Sequence, residues 1–442
     1  MIPTTREKIE CLLKTAKSLF VPGVYGLPCS KLWHPDHRRC DMAGLQFLSV
    51  CSVKAVKIYT ALYLLPQLLK HKSIYQGLKK TFPDVIRSAA FLTCHCYITC
   101  AAHCVLRRLL GHYRAITVAF IPSAIGSLAT INIEKYHRQE ILAIYMASLA
   151  LECLYEMAVY RGLIPQLKGG EVVLFSLSSA VLVHFHRNKE VKINDTLDWM
   201  MSKLLDCKHQ SKPAHQKYLV TRLRERLTDQ IDLLITSNFS YPLRSDLCTH
   251  EKSCIAHTLD TGLNGLIWGT IIQMCLRLLS SGGSLRQVMR LFARRSDLAR
   301  VSSFVGAYSA SVVALECLFH KAGIKDITPA LSGAVSGLLF AIMPEPSGPV
   351  ALYFFCRAFQ GVYKKLIQDK VIPEIPYDTV LLFTLSTAIT IHTGVCEPHL
   401  MRPSYTAFLN YLTDQRYEQL DRQLINEVMK NTVHRDAPNA LR

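Results

Sequence analysis

One stretch of this chain occurs twice, and the repetition constrains the fold more than any other feature. From Ile144 the sequence reads IYMASLALECLYEMAVYRGLIPQLKGGEVVLFSLSSAVLVH, and from Leu352 it reads LYFFCRAFQGVYKKLIQDKVIPEIPYDTVLLFTLSTAITIH. Tyr353 follows Tyr145 by 208 positions, and that shift holds without a gap as far as His184 and His392. It aligns Tyr155 with Tyr363, Ile164–Pro165 with Ile372–Pro373, Phe175 with Phe383 and Ser178 with Ser386. Upstream the match continues with small gaps. Ile116, Ala119 and Gly126 fall on Ile327, Ala330 and Gly337 at a shift of 211, Phe91 and Cys104 on Phe304 and Cys317 at 213, and Cys40 on Cys254 at 214. Such a match reads as an internal duplication.

The repeated segments are apolar. Half of the 442 residues are hydrophobic and the mean hydropathy is +0.18. The first set of apolar windows is Met42–Leu69, Ala89–Leu110, Ile116–Ile133, Leu142–Val159 and Val172–Phe185. The second is Leu259–Leu279, Val301–Phe319, Ile327–Met343, Pro349–Leu366 and Thr379–Val395. Several approach the roughly 20 residues that span a bilayer. The expectation is an all-α, multi-pass transmembrane protein built from two homologous helical halves. Residues 1–28 form an amphipathic N-terminal segment, and 29–187 the first membrane repeat with a Cys/His segment at its start. Residues 188–247 form a basic amphipathic linker, 248–410 the second repeat and 411–442 a polar C-terminal tail.

The net charge of +18 is distributed as a membrane protein would distribute it. Lys70, Lys72, Lys79, Lys80 and Arg114 lie between apolar windows, and Arg107 and Arg108 at the end of one, where cations meet anionic headgroups. No basic and aromatic stretch resembles a nucleic-acid reader. Most of the sixteen cysteines lie inside apolar windows, where cysteine behaves as a small hydrophobe. That usage points to a reducing compartment on at least one side. The first 28 residues hold no continuous apolar run with a small-residue cleavage site, so a secretory signal peptide is not expected.

Two clusters could carry metal chemistry. Cys29, His34, His37 and Cys40 precede the first apolar window, and Cys248, His250, Cys254 and His257 precede its counterpart. Thiolates and imidazoles in fours can hold zinc tetrahedrally, as a structural clip and not a catalytic centre. The alternative is unliganded Cys and His beside the membrane, since no CxxC spacing is present. Lys57, Glu152 and Glu316 fall inside apolar windows and are candidates for a polar pathway, with pairing or snorkelling at helix ends as the plain alternative. Gly333-x-x-x-Gly337 reads as close helix packing. In the linker, Val220, Leu223, Leu227, Ile231 and Leu234 recur at helical spacing, which suits an interfacial helix or packing on a neighbour. There is no P-loop, dinucleotide GxGxxG, GxSxG or HExxH, so no catalytic residue is assigned.

The chain resembles the transmembrane protein 135 family. The resemblance rests on Trp33-His34-Pro35 followed by a cysteine, Lys57-Ile58-Tyr59, Ile144-Tyr145-Met146-Ala147, Arg161-Gly162, Gly170-Glu171-Val172 and Arg402-Pro403-Ser404-Tyr405. It implies a cysteine-rich N-terminal segment and a C-terminal half similar to mitochondrial inner-membrane translocase channel proteins. It also implies a place in peroxisomal or mitochondrial membranes, with roles in mitochondrial fission, peroxisome function and lipid or sterol handling. The partners it suggests are membrane lipids and mitochondrial fission or peroxisomal import factors. The function so implied is non-enzymatic. A lipid or small-solute transporter with a midplane site between the repeats is the alternative, because duplication is how many carriers build such a site.

Overall fold

A computed structural model of the chain describes residues 27–34, 39–69, 74–193, 195–206, 219–238, 248, 250–280, 295–343 and 347–430. Among these the regular structure is all helical, with no strand. Two compact units divide the chain, residues 1–166 with 375–442, and residues 167–374.

The first unit opens with α1 (Cys29–Leu32), α2 (Cys40–Leu69), α3 (Ile74–Leu110), α4 (Ala115–Val118), α5 (Phe120–Thr130) and α6 (Tyr136–Tyr160). The second contains α7 (Gly170–Asn188), α8 (Asp195–Leu205), α9 (Leu219–Asn238), α10 (Cys254–Ser280), α11 (Arg295–Lys321), α12 (Thr328–Gly337) and α13 (Gly348–Gln368). The chain then returns to the first unit for α14 (Asp378–Cys396), α15 (Pro403–Leu412) and α16 (Arg422–Lys430).

Five helical segments are long and apolar enough to cross a membrane: Cys40–Leu64, Lys79–Leu110, Tyr136–Tyr160, Ala299–Lys321 and Asp378–Cys396. The windows at 116–133 and 327–343 form shorter apolar helices, Phe120–Ile133 and Thr328–Ile342, each ending in a 3-10 turn. The tighter winding of a 3-10 turn carries less hydrogen-bond order than a continued α-helix and stops the run short.

The compact units cut across the segments read as repeats. In unit 1, α2 packs on α3, α3 on α5, and α14 on both α5 and α6. In unit 2, α10 packs on α11, α11 on α12, and α7 on both α12 and α13. The two helices aligned by the 208-residue shift, α7 and α14, have thus changed places: α14 packs among α2, α3, α5 and α6 of the first repeat, and α7 among α10 to α13 of the second. Small residues make both seats. On α14, Ser386, Thr387, Ala388, Thr390 and Gly394 are buried. On α7, the Ser176 hydroxyl donates to the Ala334 carbonyl at 2.6 Å and the Ser179 hydroxyl to the Gly333 carbonyl at 2.8 Å. These side-chain donors bridge helices whose small residues bring the backbones close.

The GxxxG pair sits at that contact. A Cβ on Gly337 would stand 2.6 Å from Ser176 Cα, and one on Gly333 would stand 2.7 Å from the Ser179 carbonyl oxygen. Gly126, aligned with Gly337, meets Thr99 and the His95 carbonyl of α3 instead. The aligned glycine is therefore used against a different neighbour.

Parts of the amphipathic linker and of the polar tail are built into the cores. Ile193, Leu197, Met201, Leu204 and Leu205 of the linker bury with Phe175, Tyr308 and Phe340 in unit 2. Tyr417, Leu420, Ile425 and Val428 of the polar tail bury with Leu32, Val118 and Val395 in unit 1. The Tyr417 hydroxyl donates to the Gly394 carbonyl at 2.5 Å, and Arg422 donates to the Val395 carbonyl at 2.6 Å, which satisfies the open C-terminal carbonyls of α14. The expected amphipathic segment lies outside the described residues apart from Leu27 and Pro28, as does the tail after Lys430.

Gly337→Ala is expected to destabilise by about 1–3 kcal/mol, the usual cost of forcing an added carbon into a filled contact. Gly348→Ala, where nothing lies within 4 Å, is the matched control and should be neutral. Thermal unfolding in detergent distinguishes them.

Candidate functional site

The Cys/His segments fold into two compact clusters, one in each unit. In unit 1, Pro28 precedes the single turn α1, whose Trp33 N–H donates to the Cys29 carbonyl at 2.9 Å. Two contacts lay this turn on the last turns of α3. The Trp33 ring stacks on His103 at 3.8 Å, and Arg107 Nε donates to the Leu27 carbonyl at 2.6 Å. Cys104, next to His103, is thereby brought to Cys29, His34 and Cys40, with one ligand atom from each residue and all of them within 4.8 Å of one another. Cys29 Sγ lies 3.4 Å from Cys40 Sγ, and Cys104 Sγ lies 3.6 Å from His34 Nε2. Burial and the adjacent Cys40 thiol push the Cys29 thiol up from its ordinary pKa.

Unit 2 builds the same set. Cys248, His250, Cys254 and Cys317 present ligand atoms within 4.8 Å of one another. Cys248 Sγ and Cys254 Sγ are 3.9 Å apart, and His250 Nε2 lies 3.3 Å from Cys317 Sγ and 3.7 Å from Cys254 Sγ. His250 Nδ1 is 2.7 Å from the Lys252 carbonyl oxygen. All three cysteines are buried. The segment is held from the side by α9: Asp232 accepts from the Ser253 N–H at 3.0 Å, and Lys252 pairs with Asp229 at 2.8 Å.

Six of the eight residues expected from the sequence thus come together: Cys29, His34 and Cys40, and Cys248, His250 and Cys254. The fourth member of each set is a cysteine from the following hairpin helix, Cys104 on α3 or Cys317 on α11. His257 is not among the ligand atoms; its ring stacks on His250 at 4.4 Å. His37 lies outside the described residues. The signal for the missing members was present in the repeat, which aligns Cys104 with Cys317. Proximity along the chain favoured the nearby histidines instead. These three thiols and one imidazole are a donor set that could hold a tetrahedral metal.

Each polar-pathway candidate has its place within its own unit. Glu152 accepts from Arg402, with Nε to Oε2 at 3.0 Å and a second bond through Nη2. Glu316 is bound by both ends of the Arg187 guanidinium, at 2.9 and 2.8 Å, and Arg187 also pairs with Asp206 at 2.7 Å. Lys57 is exposed on α2, whereas Lys54, one turn before, pairs with Asp414 at 3.1 Å. Both carboxylates are committed to guanidinium partners within their own units. The sequence reading missed Arg402 and Arg187 as those partners because each lies more than a hundred residues away from its carboxylate.

Arg402→Ala should leave Glu152 without its counter-charge and lower stability by about 2–3 kcal/mol. That is somewhat below the cost for a fully buried pair, because both side chains keep partial exposure. A double-mutant cycle with Glu152→Ala, read by thermal unfolding, is expected to return a coupling of about 1 kcal/mol or more.

Residues 27–159, which contain the whole of the unit 1 cluster, match the family model for the N-terminal cysteine-rich region of Transmembrane protein 135. No solved structure matches the chain.

Proposed function

We propose that this chain, whose residues 27–159 match the cysteine-rich region of the transmembrane protein 135 family, is a member of that family and a non-enzymatic regulator in organelle membranes. In this reading it sits in the peroxisomal membrane, the mitochondrial membrane or both. There it regulates mitochondrial fission and dynamics, peroxisome function and the balance of sterols and fatty acids. It does so by docking a fission or peroxisomal import factor on the linker between the repeats.

The observation that carries the docking step is the inverted face of α9. Arg224 pairs with Asp260 of α10 at 3.1 Å, Thr228 is fully buried, and Asp232 binds Ser253, so the polar side of α9 faces its own unit. Leu223, Leu227, Leu233 and Leu234 point outward and are 49–69% exposed. A helix normally buries its apolar stripe. A contiguous exposed one marks a surface that something else covers. The same geometry weighs against the carrier reading, which requires Glu152 and Glu316 to be available to substrate and not held by arginine.

In cells lacking the protein, the full chain carrying Leu223→Glu and Leu227→Glu should reach wild-type abundance yet fail to restore mitochondrial and peroxisomal morphology. It should also fail to co-precipitate a fission or import factor that the wild-type chain retains. Full restoration by the double variant would overturn the docking step.

A further inference from the structure

We propose that the chain binds two zinc ions, one in each unit, each closed by four protein ligands and serving as a structural clip. The ligands are Cys29, His34, Cys40 and Cys104 in unit 1, and Cys248, His250, Cys254 and Cys317 in unit 2.

The distances fit the ion. With Zn–S about 2.3 Å and Zn–N about 2.0–2.1 Å, a tetrahedron has S···S edges of about 3.8 Å and S···N edges of about 3.5 Å. Cys29 and Cys40 bring their sulfurs to 3.4 Å and Cys248 and Cys254 theirs to 3.9 Å, three of the S···N separations are 3.6, 3.3 and 3.7 Å, and the remaining ligand atoms of each cluster lie within 4.8 Å of one another. Three thiolates and an imidazole are the soft and borderline donors that select zinc over magnesium or calcium.

The surroundings also fit. The Lys252 carbonyl accepts a hydrogen bond from His250 Nδ1–H, which holds the ring in the tautomer whose Nε2 lone pair faces the sulfurs. Cys40 and Cys254 are the first residues of α2 and α10, where the positive end of the helix favours a thiolate. Arg108 Nη2 lies 3.6 Å from Cys40 Sγ and offsets the surplus negative charge of three thiolates on a divalent ion.

Duplication supplies an independent argument. The ligand order is the same in both units, Cys-His-Cys before a helix and then Cys from its hairpin partner. The intervals differ: Cys-x4-His-x5-Cys in the first and Cys-x-His-x3-Cys in the second. Loops of different length that deliver the same donors to the same place are built around a common centre. Each clip ties the segment before one helix to the far end of the next, closing the α2–α3 and α10–α11 hairpins. Because protein fills all four positions, no site is open for substrate or water. In a reducing compartment such a clip holds where a disulfide would not persist.

Elemental analysis of the full chain, purified in detergent under reducing conditions, is expected to give two zinc per chain. Cys104→Ala and Cys317→Ala should each lower this to one, and His257→Ala should keep two. Exchange of zinc for cobalt(II) in the wild-type chain should produce thiolate-to-cobalt charge-transfer absorption and the intense visible bands of tetrahedral cobalt, a readout that needs no variant to fold. Helical, monodisperse wild-type protein without stoichiometric metal overturns the proposal. So does a Cys29–Cys40 or Cys248–Cys254 disulfide found by peptide mass spectrometry after alkylation in intact cells. Stoichiometric iron overturns the choice of metal, and one zinc per wild-type chain overturns the pair.

Discussion

A charged side chain on an apolar helix must find a counter-charge, and the architecture of both units depends on how that requirement is met. Removing an ion from water costs several kcal/mol even after relaxation, so it is sustained only by close partners. In unit 1, Glu152 inside α6 is held by Arg402, and Arg161 just beyond the end of α6 is held to Glu397 at 2.8 Å. Both pairs join α6 to the segment that follows α14, and so fix α14 between α5 and α6. In unit 2, Arg187 at the end of α7 bridges Glu316 of α11 and Asp206 beyond α8. Arg357 is handled differently: it is 2% exposed, donates to Tyr353 and Gln360, and lies 5.1 Å from the Tyr353 ring centre. Neutral acceptors and a π face meet its hydrogen-bonding needs and part of its charge.

The same reasoning explains why the Cys/His clusters sit at helix ends. Cys40 and Cys254 lie where their hairpins' second helices finish, so a ligand on α3 or α11 can reach back to the segment before α2 or α10. Trp33 on His103 and Arg107 on the Leu27 carbonyl position the first cluster, and α9 positions the second through Asp232 and Lys252. The two faces of the linker helix differ. Its polar side supports the cluster, and its leucines remain outside.

Helix content and the five long apolar helices were legible in the sequence, because unbroken apolar windows admit little else in a bilayer. Six cluster residues were legible for a similar reason: they lie close together in the chain. Partners distant in sequence were not. Cys104 lies 64 positions after Cys40, and nothing local marks it as different from Cys94, Cys96 or Cys100 on the same helix. Arg402 was visible as part of a family-like motif, yet its role as the partner of Glu152 depends on how α14 returns to unit 1. The polar composition of residues 411–430 read as a polar tail, although Tyr417, Leu420, Ile425 and Val428 are buried in the core.

The exchange of α7 and α14 changes what a duplicated chain requires in order to fold. A fragment ending at residue 187 would contain α2, α3, α5 and α6 but not the helix that fills the groove between α5 and α6. A fragment beginning at 248 would contain α12 and α13 without the serines of α7 that bind the Gly333 and Ala334 carbonyls. Each bundle therefore closes only when sequence from the other repeat arrives. The residues that do the closing are small, which is why α7 and α14, aligned at Ser178 with Ser386 and Ala180 with Ala388, both suit such a seat. The connection through residues 188–247 is part of this arrangement and not a spacer, since Leu197, Met201 and Leu205 bury beside Phe175 of α7. Neither sequence repeat therefore carries by itself all the helices of one bundle.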